Sequence, residues 1–226
     1  MAGLYGRNGS QMELIKQTFV PMLQQGLLYS VPLALVSFAV GMVLAVAAAL
    51  AIVNKIPVIR QMAGIYIWVF RGTPLLLQLF LVYWGICLPL GINKWAAGIG
   101  VFSLYAGACS AETIRAAVRS ISDGQWEAGY AIGMDRLKVL ERVILPQTVK
   151  AALSPLIGIF IHLVKDTALA SVILLPELFQ KAQEFAGSSS QYLLIFGEAA
   201  VIYLLFFTFL TGIQKLAEKK LRLEKC

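Results

Sequence analysis

Long apolar runs alternate with short polar segments along this chain, and the run lengths decide the first reading. No charged side chain lies between Lys16 and Lys55. A helix of about 20 apolar residues crosses the hydrocarbon core of a bilayer. On that measure the pattern predicts five spans: Gly26 to Val53, a second between Arg71 and Lys94 with a start as early as Ala63, Trp95 to Ala111, Ala151 to about Pro176, and roughly Gln191 to Gln214. Lys165 and Asp166 interrupt the fourth, and Glu198 lies in the fifth. Five spans put the two termini on opposite faces, within a single domain over 1–226.

Composition agrees. With 59% hydrophobic and 14% charged residues and a mean hydropathy of +0.77, the chain is far more apolar than soluble domains. With the N-terminus outside and the C-terminus cytoplasmic, fourteen of the lysines and arginines fall on the cytoplasmic side. Four, Arg7, Lys16, Lys94 and Lys181, fall outside, and Lys165 stays within the fourth span. This asymmetry follows the retention of basic loops in the cytoplasm. It accounts for the pI of 9.4, so no nucleic-acid partner is expected. The first apolar stretch is too long for a cleaved signal and reads as an uncleaved helix. Cys87, Cys109 and Cys226 show no metal-binding spacing, and Cys87 and Cys109 read as packing residues; neither metal nor disulfide is expected.

The segment from Glu112 to Lys150 is too polar to cross and too patterned for a slack linker. Ser122-Asp123-Gly124 reads as a capping turn. Gln125 to Ile132 forms a short helix with Glu127 in its first turn. Gly133 stops it, and Asp135 to Ile144 forms a second helix with Leu137, Leu140, Val143 and Ile144 as its apolar stripe. Pro146 is expected to close that helix. A glycine-cornered helix pair shown at the membrane surface suits docking in a partner's groove.

Intramembrane charge is the costliest feature. Lys165 and Asp166 are tolerated only in a packed or watery interior. They either line a path or break the fourth helix, with Thr167 satisfying freed backbone groups, or they neutralise each other and lock packing. Neighbours on a helix point about 100° apart, which disfavours a direct pair. His162 shares their face. Arg71 reads as an anchor or gate, Gly72, Thr73 and Pro74 as a bend, and Gln78 either reaches substrate or bonds a neighbouring helix. Gly98, Gly100, Ser103, Gly107, Ser110 and Ala111 make the third helix a close-packing surface. Trp68, Trp84 and Trp95 fit interfacial anchoring. No G-x-x-x-x-G-K-[ST] loop and no catalytic or metal constellation occurs in the sequence, so neither ATP binding nor catalysis is expected of this chain.

These segments carry a resemblance. Glu127-Ala128-Gly129, then Gly133-Met134, then Val143-Ile144-Leu145-Pro146 resemble the loop of bacterial ABC importer permeases. Gly129 stands where alanine is usual and Val143 where isoleucine is usual. Phe70 to Leu76, Ala111 to Ala116 and Leu163 to Leu169 resemble segments of the polar amino acid uptake branch, the histidine-, glutamine-, cystine- and arginine-type permeases; Ala168 replaces a serine. The resemblance implies an all-α, type I importer fold with a coupling-helix loop over 112–150 in a prokaryotic plasma (inner) membrane. It implies that Glu127, Ala128, Gly129, Gly133, Met134 and Pro146 couple to ATP-binding cassette ATPase subunits, which hold the ATP and magnesium. It implies a second permease copy or a similar chain, an extracytoplasmic solute-binding protein, and a path near Gln78, Gly158, His162, Lys165, Asp166 and Thr167. Arg71, Gly72, Thr73 and Pro74 would gate or bend it. Cation-importing relatives carry Asn-Glu where this chain has Gly158-Ile159, so a neutral polar amino acid or cystine is the expected substrate. Two other classes compete: an autonomous secondary transporter or channel, for which no internal repeat is found, and a scaffold that recruits a soluble partner.

Overall fold

The computed structural model describes residues 2–53 and 57–223, with side chains from 12 to 51 and from 58 to 220. Lys55, Lys225 and Cys226 and the side chains of Arg7 and Arg222, which enter the counts above, lie outside the described residues. Among the described residues ten α-helices run in chain order: α1 Ala2–Gln25, α2 Val31–Val53, α3 Pro57–Gly72, α4 Leu75–Val82, α5 Lys94–Arg119, α6 Asp123–Ala131, α7 Arg136–Val139, α8 Leu145–Asp166, α9 Leu178–Ser189 and α10 Tyr192–Leu223. No strand occurs among the described residues.

Three joints share one cause. Val31, Leu88 and Leu145 each donate their N–H to a carbonyl five residues back, closing the wide turns Gly26–Ser30, Tyr83–Cys87 and Leu140–Ile144. Each is followed by proline: Pro32, Pro89 and Pro146. Proline lacks an N–H and its ring crowds the carbonyl four residues earlier, and widening the preceding turn relieves that crowding. The consequence at Pro146 corrects the sequence reading. Pro146 does not close the second loop helix; the π-turn absorbs it and the helix continues from α7 into α8. The stretch Arg136–Ile173 is therefore one 38-residue apolar span candidate. By the same device α1 runs on into α2, and Met12–Ala51 forms a single 40-residue candidate.

Among the described residues a third stretch, Tyr192–Lys220, is also long and apolar enough to cross a membrane. The expected second span is broken: Val58–Gly72 and Leu75–Cys87 meet at 106° and make a fourth crossing only if counted together. The expected third span lies within α5, which is not among these candidates; its serines, glycines and terminal charged residues make it less apolar. Packing explains the composition of α5. It is the central helix, packed on α2, α3, α4 and α8. A Cβ on Gly107 would lie 2.6 Å from Tyr66 Oη and 2.9 Å from the carbonyl of Gly41, so small residues let α2 and α5 approach backbone to backbone. Tyr66 Oη donates to the carbonyl of Leu104 at 2.6 Å and fixes α3 on the same helix. Gly98, Ser103, Ser110 and Ala111 are buried with it, while Gly100 is exposed.

Three apolar cores form among the described residues, one of them the alanine-rich seam of Ala45, Ala48, Ala63, Ile67 and Ala111 between α2, α3 and α5. Leu33, Leu79, Phe102, Leu163 and Ile173 gather α2, α4, α5 and α8. Met22, Leu178, Ile195 and Ile202 gather α1, α9 and α10. Between them Glu177, fully buried, caps α9 by accepting the N–H of Gln180 at 2.7 Å and receives hydroxyls from Ser30 and Tyr203 at 3.3 and 3.2 Å.

Candidate coupling and translocation site

The loop unit is built from α6, a glycine corner and α7. Ser122 takes the N-cap position without a side-chain capping bond, and Asp123 stands in the first turn. At the other end Met134 N–H donates to Gly129 O at 3.1 Å and Gly133 N–H to Tyr130 O at 2.9 Å. These two bonds with a left-handed residue between them form a Schellman cap, and Gly133 supplies that residue with φ +81°. Asp135 then caps α7, its carboxylate accepting the Lys138 N–H at 2.9 Å. Gly129 faces Val139: a Cβ there would lie 2.7 Å from Val139 Cγ2, so the two short helices touch where a side chain is missing. Gln147 Nε2 donates to Gln125 Oε1 at 3.1 Å, tying the start of α6 to α8.

Glu127 and Ala128 point outward, Met134 is half-buried, and Pro146 is exposed on the continuous helix. The surrounding skin is apolar, with Tyr130 47%, Ile132 73% and Leu137 64% exposed. The expected loop boundaries shift, because Glu112 to Arg119 belong to α5 and residues from Leu145 onward to α8.

A polar strip runs along the side of the bundle. Asp166 ends α8; Thr167 is buried and its Oγ1 donates to the carbonyl of Val164 at 2.8 Å, where the chain tightens into the 3₁₀ turn Thr167–Ile173. Among the described residues no ion pair joins Lys165 to Asp166. Lys165 Nζ instead lies 5.2 Å from the ring centroid of Phe207 on α10, and Asp166 feels His162 and Lys165 through space. His162 is exposed, and Gly158 borders open space, with Gln214 Nε2 4.0 Å from where a Cβ would stand.

Tyr105 and Cys109, one turn apart on α5, lie near Asp166 and Arg71. The sequence reading passed over Tyr105 and treated Cys109 as filler. Its available signal was the four-residue spacing Tyr105, Cys109, Glu112/Thr113 on one helix face.

Arg71 Nη1 lies 3.9 Å from Glu112 Oε1. Arg115 holds the same carboxylate through two nitrogens, and that bonding keeps the Glu112 carboxyl below its ordinary range. Gly72, Thr73 and Pro74 form the break between α3 and α4. Gln78 is buried and turns back onto that break, its Nε2 within 2.9 Å of Thr73 Oγ1 and 3.1 Å of Thr73 O, so it serves the backbone there.

One long helical stretch, Arg136–Ile173, thus joins the exposed glycine-cornered loop unit to the polar residues at the end of α8. Residues 39–223 match the family of binding-protein-dependent transport system inner membrane components, and the chain belongs to it: it is a permease subunit of ABC importers. It is 43% identical over 211 residues to the L-cystine transport system permease protein TcyB of Bacillus subtilis (strain 168), covering 92% of this chain and 90% of that protein. The fold superposes on the crystal structure of an amino acid ABC transporter with histidines with a TM-score of 0.87 and 30% identity, over 92% of this chain and 97% of that one. The MetNI methionine ABC transporter, inward facing, shares the fold at a TM-score of 0.73 and 15% identity, over 92% and 97% of the two chains.

Proposed function

We propose that this chain moves a neutral polar amino acid or cystine across the membrane. It works as one of two permease copies, or beside a similar chain, above ATPase subunits docked on α6. The observation that carries the reading is the unbroken rod from Arg136 through the π-turn before Pro146 to Asp166 and Ile173. Displacement of α6 and the Gly133 corner by a closing ATPase reaches the polar strip through a stiff helix, so nucleotide-driven motion and path opening are one movement. Glu127, Ala128, Gly129, Gly133, Met134 and Pro146 form or position the gripped surface.

Polar groups on an exposed flank of the bundle need either water or protein against them. His162, Lys165 and Asp166, with Tyr105 from α5, therefore line a path closed by the second copy, buried Thr167 fixes the turn behind them through its bond to Val164, and Arg71 to Pro74 shape its edge. Gln78 holds the shape of the α3–α4 break. Substrate choice rests on Gly158-Ile159, where no carboxylate is present to meet a guanidinium or ammonium side chain, and on the 43% identity to a cystine permease.

The whole chain forms one permease domain, with α5 as a fifth span shielded from lipid by its neighbours. The excess of basic side chains at the α6 end and the C-terminus supports a cytoplasmic side for both. A solute-binding protein delivers substrate at the opposite face, where Lys94 Nζ donates to the carbonyl of Leu174.

Proteoliposomes holding the permease, its ATPase and its binding protein test this. Uptake of labelled cystine or glutamine that requires ATP is expected. Preference for arginine overturns the substrate assignment, and uptake by the permease without ATPase overturns the coupling.

A further inference from the structure

A cleft of about 510 Å³ opens between α3 and α5, at the end of the bundle that carries α6. Four guanidinium groups line it, Arg60, Arg71, Arg115 and Arg119, against one carboxylate, Glu112. That carboxylate is already engaged: Arg115 grips it through two nitrogens and Arg71 approaches to 3.9 Å. Arg60 and Arg119 are exposed and have no ion-pair partner among the described residues. The cleft thus carries an excess of three positive charges at the edge of an apolar helix. At headgroup level such an excess attracts an anionic lipid head by about 1 kcal/mol per basic group.

The remaining wall states the kind of anion. Trp68 is 76% exposed and borders the same cleft. Positions for side chains on Gly64 and Gly72 meet nothing within 4 Å, so the cleft stays open toward the flank of α3. That flank is continuous apolar surface, with Val58, Met62 and Ile65 each at least 62% exposed. An occupant that satisfies both parts has a phosphate for the arginine forks and acyl chains for the neighbouring surface. Basic pockets between helices at the headgroup level bind anionic lipid heads in this way.

We propose that the α3–α5 cleft is a binding site for an anionic phospholipid, its phosphate held by Arg60 and Arg119 and its chains lying along α3. The assignment stands on the cleft alone and does not depend on the substrate or coupling assignments above.

Native mass spectrometry and thermal shift of the full-length permease, with phosphatidylglycerol, phosphatidylcholine or inorganic phosphate added, test it. The wild type is expected to retain phosphatidylglycerol and gain thermal stability from it, with little response to phosphatidylcholine. R60Q/R119Q weakens retention about thirtyfold, at the scale of two basic groups near a membrane surface. K219Q/K220Q removes the same charge from α10 and leaves retention unchanged. Equal losses in the two double variants reduce the effect to bulk charge and overturn the site. Equal retention of phosphatidylcholine does the same. Stabilisation by inorganic phosphate matching that by the lipid assigns the cleft to a soluble anion and overturns the lipid. If the glutamine pair does not fold, R119Q alone is expected to weaken retention about fivefold, and unchanged retention in that variant overturns the proposal.

Discussion

The side-chain amide of Gln78 donates at 2.9 Å to the carbonyl of Phe70, the acceptor that Pro74, four residues beyond Phe70, is chemically unable to serve. Within an unbroken helix that carbonyl takes the N–H of residue 74; proline removes the donor, and the glutamine one turn into α4 replaces it. The 106° break is thus closed by a side chain from its far side. Gln78→Leu deletes the donor and leaves a part-buried carbonyl without it, at a cost of about 1 kcal/mol. A lower unfolding temperature in detergent is expected, and an unchanged one shows that the break holds itself.

Gly133 stands at φ +81° with open space where a Cβ would go, so its requirement is one of backbone conformation. Asparagine enters that region far more readily than a β-branched residue. ATPase co-purification and ATP-coupled uptake should fall in the order Gly133, Gly133→Asn, Gly133→Val. Equal losses in the two variants point to a steric clash with the docked partner instead of backbone strain.

Gly129 and Val139 form a hydrogen-against-methyl contact that an added Cβ closes to 2.7 Å. Gly129→Ala is expected to loosen α6 from α7, and Val139→Ala to relieve it. A double-mutant cycle read by thermal unfolding should give a coupling of about 1 kcal/mol. Additivity within error shows that Val139 turns aside without cost.

Asp166 closes α8 without an ion-pair partner among the described residues. Asp166→Leu should leave membrane insertion and yield intact while uptake kcat/KM falls by roughly tenfold or more. Unchanged kinetics make the residue a packing element only.

Glu177 offers a pH test. Burial pushes its carboxyl up from 4.5 to about 7, against the opposing pull of backbone N–H groups and the Tyr203 and Ser30 hydroxyls. The folded chain therefore holds a proton that the unfolded chain has released between these values. Raising the pH from 4.5 to 7 costs stability, with no further loss above 7. The full difference is about 3 kcal/mol by linkage. Unfolding temperatures from pH 4.5 to 8 should show this decline in the wild type and its absence in Glu177→Gln; parallel curves remove Glu177 as the cause.

The loop unit was legible because its signals are local. A glycine after a short amphipathic turn, and an aspartate three residues before Lys138, fix caps through bonds within six residues of each other. The break at Pro74 was legible as a bend, but not its angle or its closure by Gln78, which depend on what α3 and α4 pack against. Pro146 misled because a proline stops a helix by default. Whether the preceding turn widens instead is decided by the packing that holds both flanks of the helix in line.

By itself the sequence determined that this chain lives in a bilayer, where its hydrophobic runs lie, and that one polar segment carries a glycine-cornered helix pair. These follow from burial free energy and backbone stereochemistry summed over neighbouring residues. Only the tertiary structure decided that the pair continues as a rod into the membrane. Tertiary packing also brings Arg71 to Glu112 and sets Tyr105 and Cys109 within electrostatic reach of Asp166. Those relations join residues forty or more positions apart, and the close approach of α2, α3, α5 and α8 through small side chains creates them.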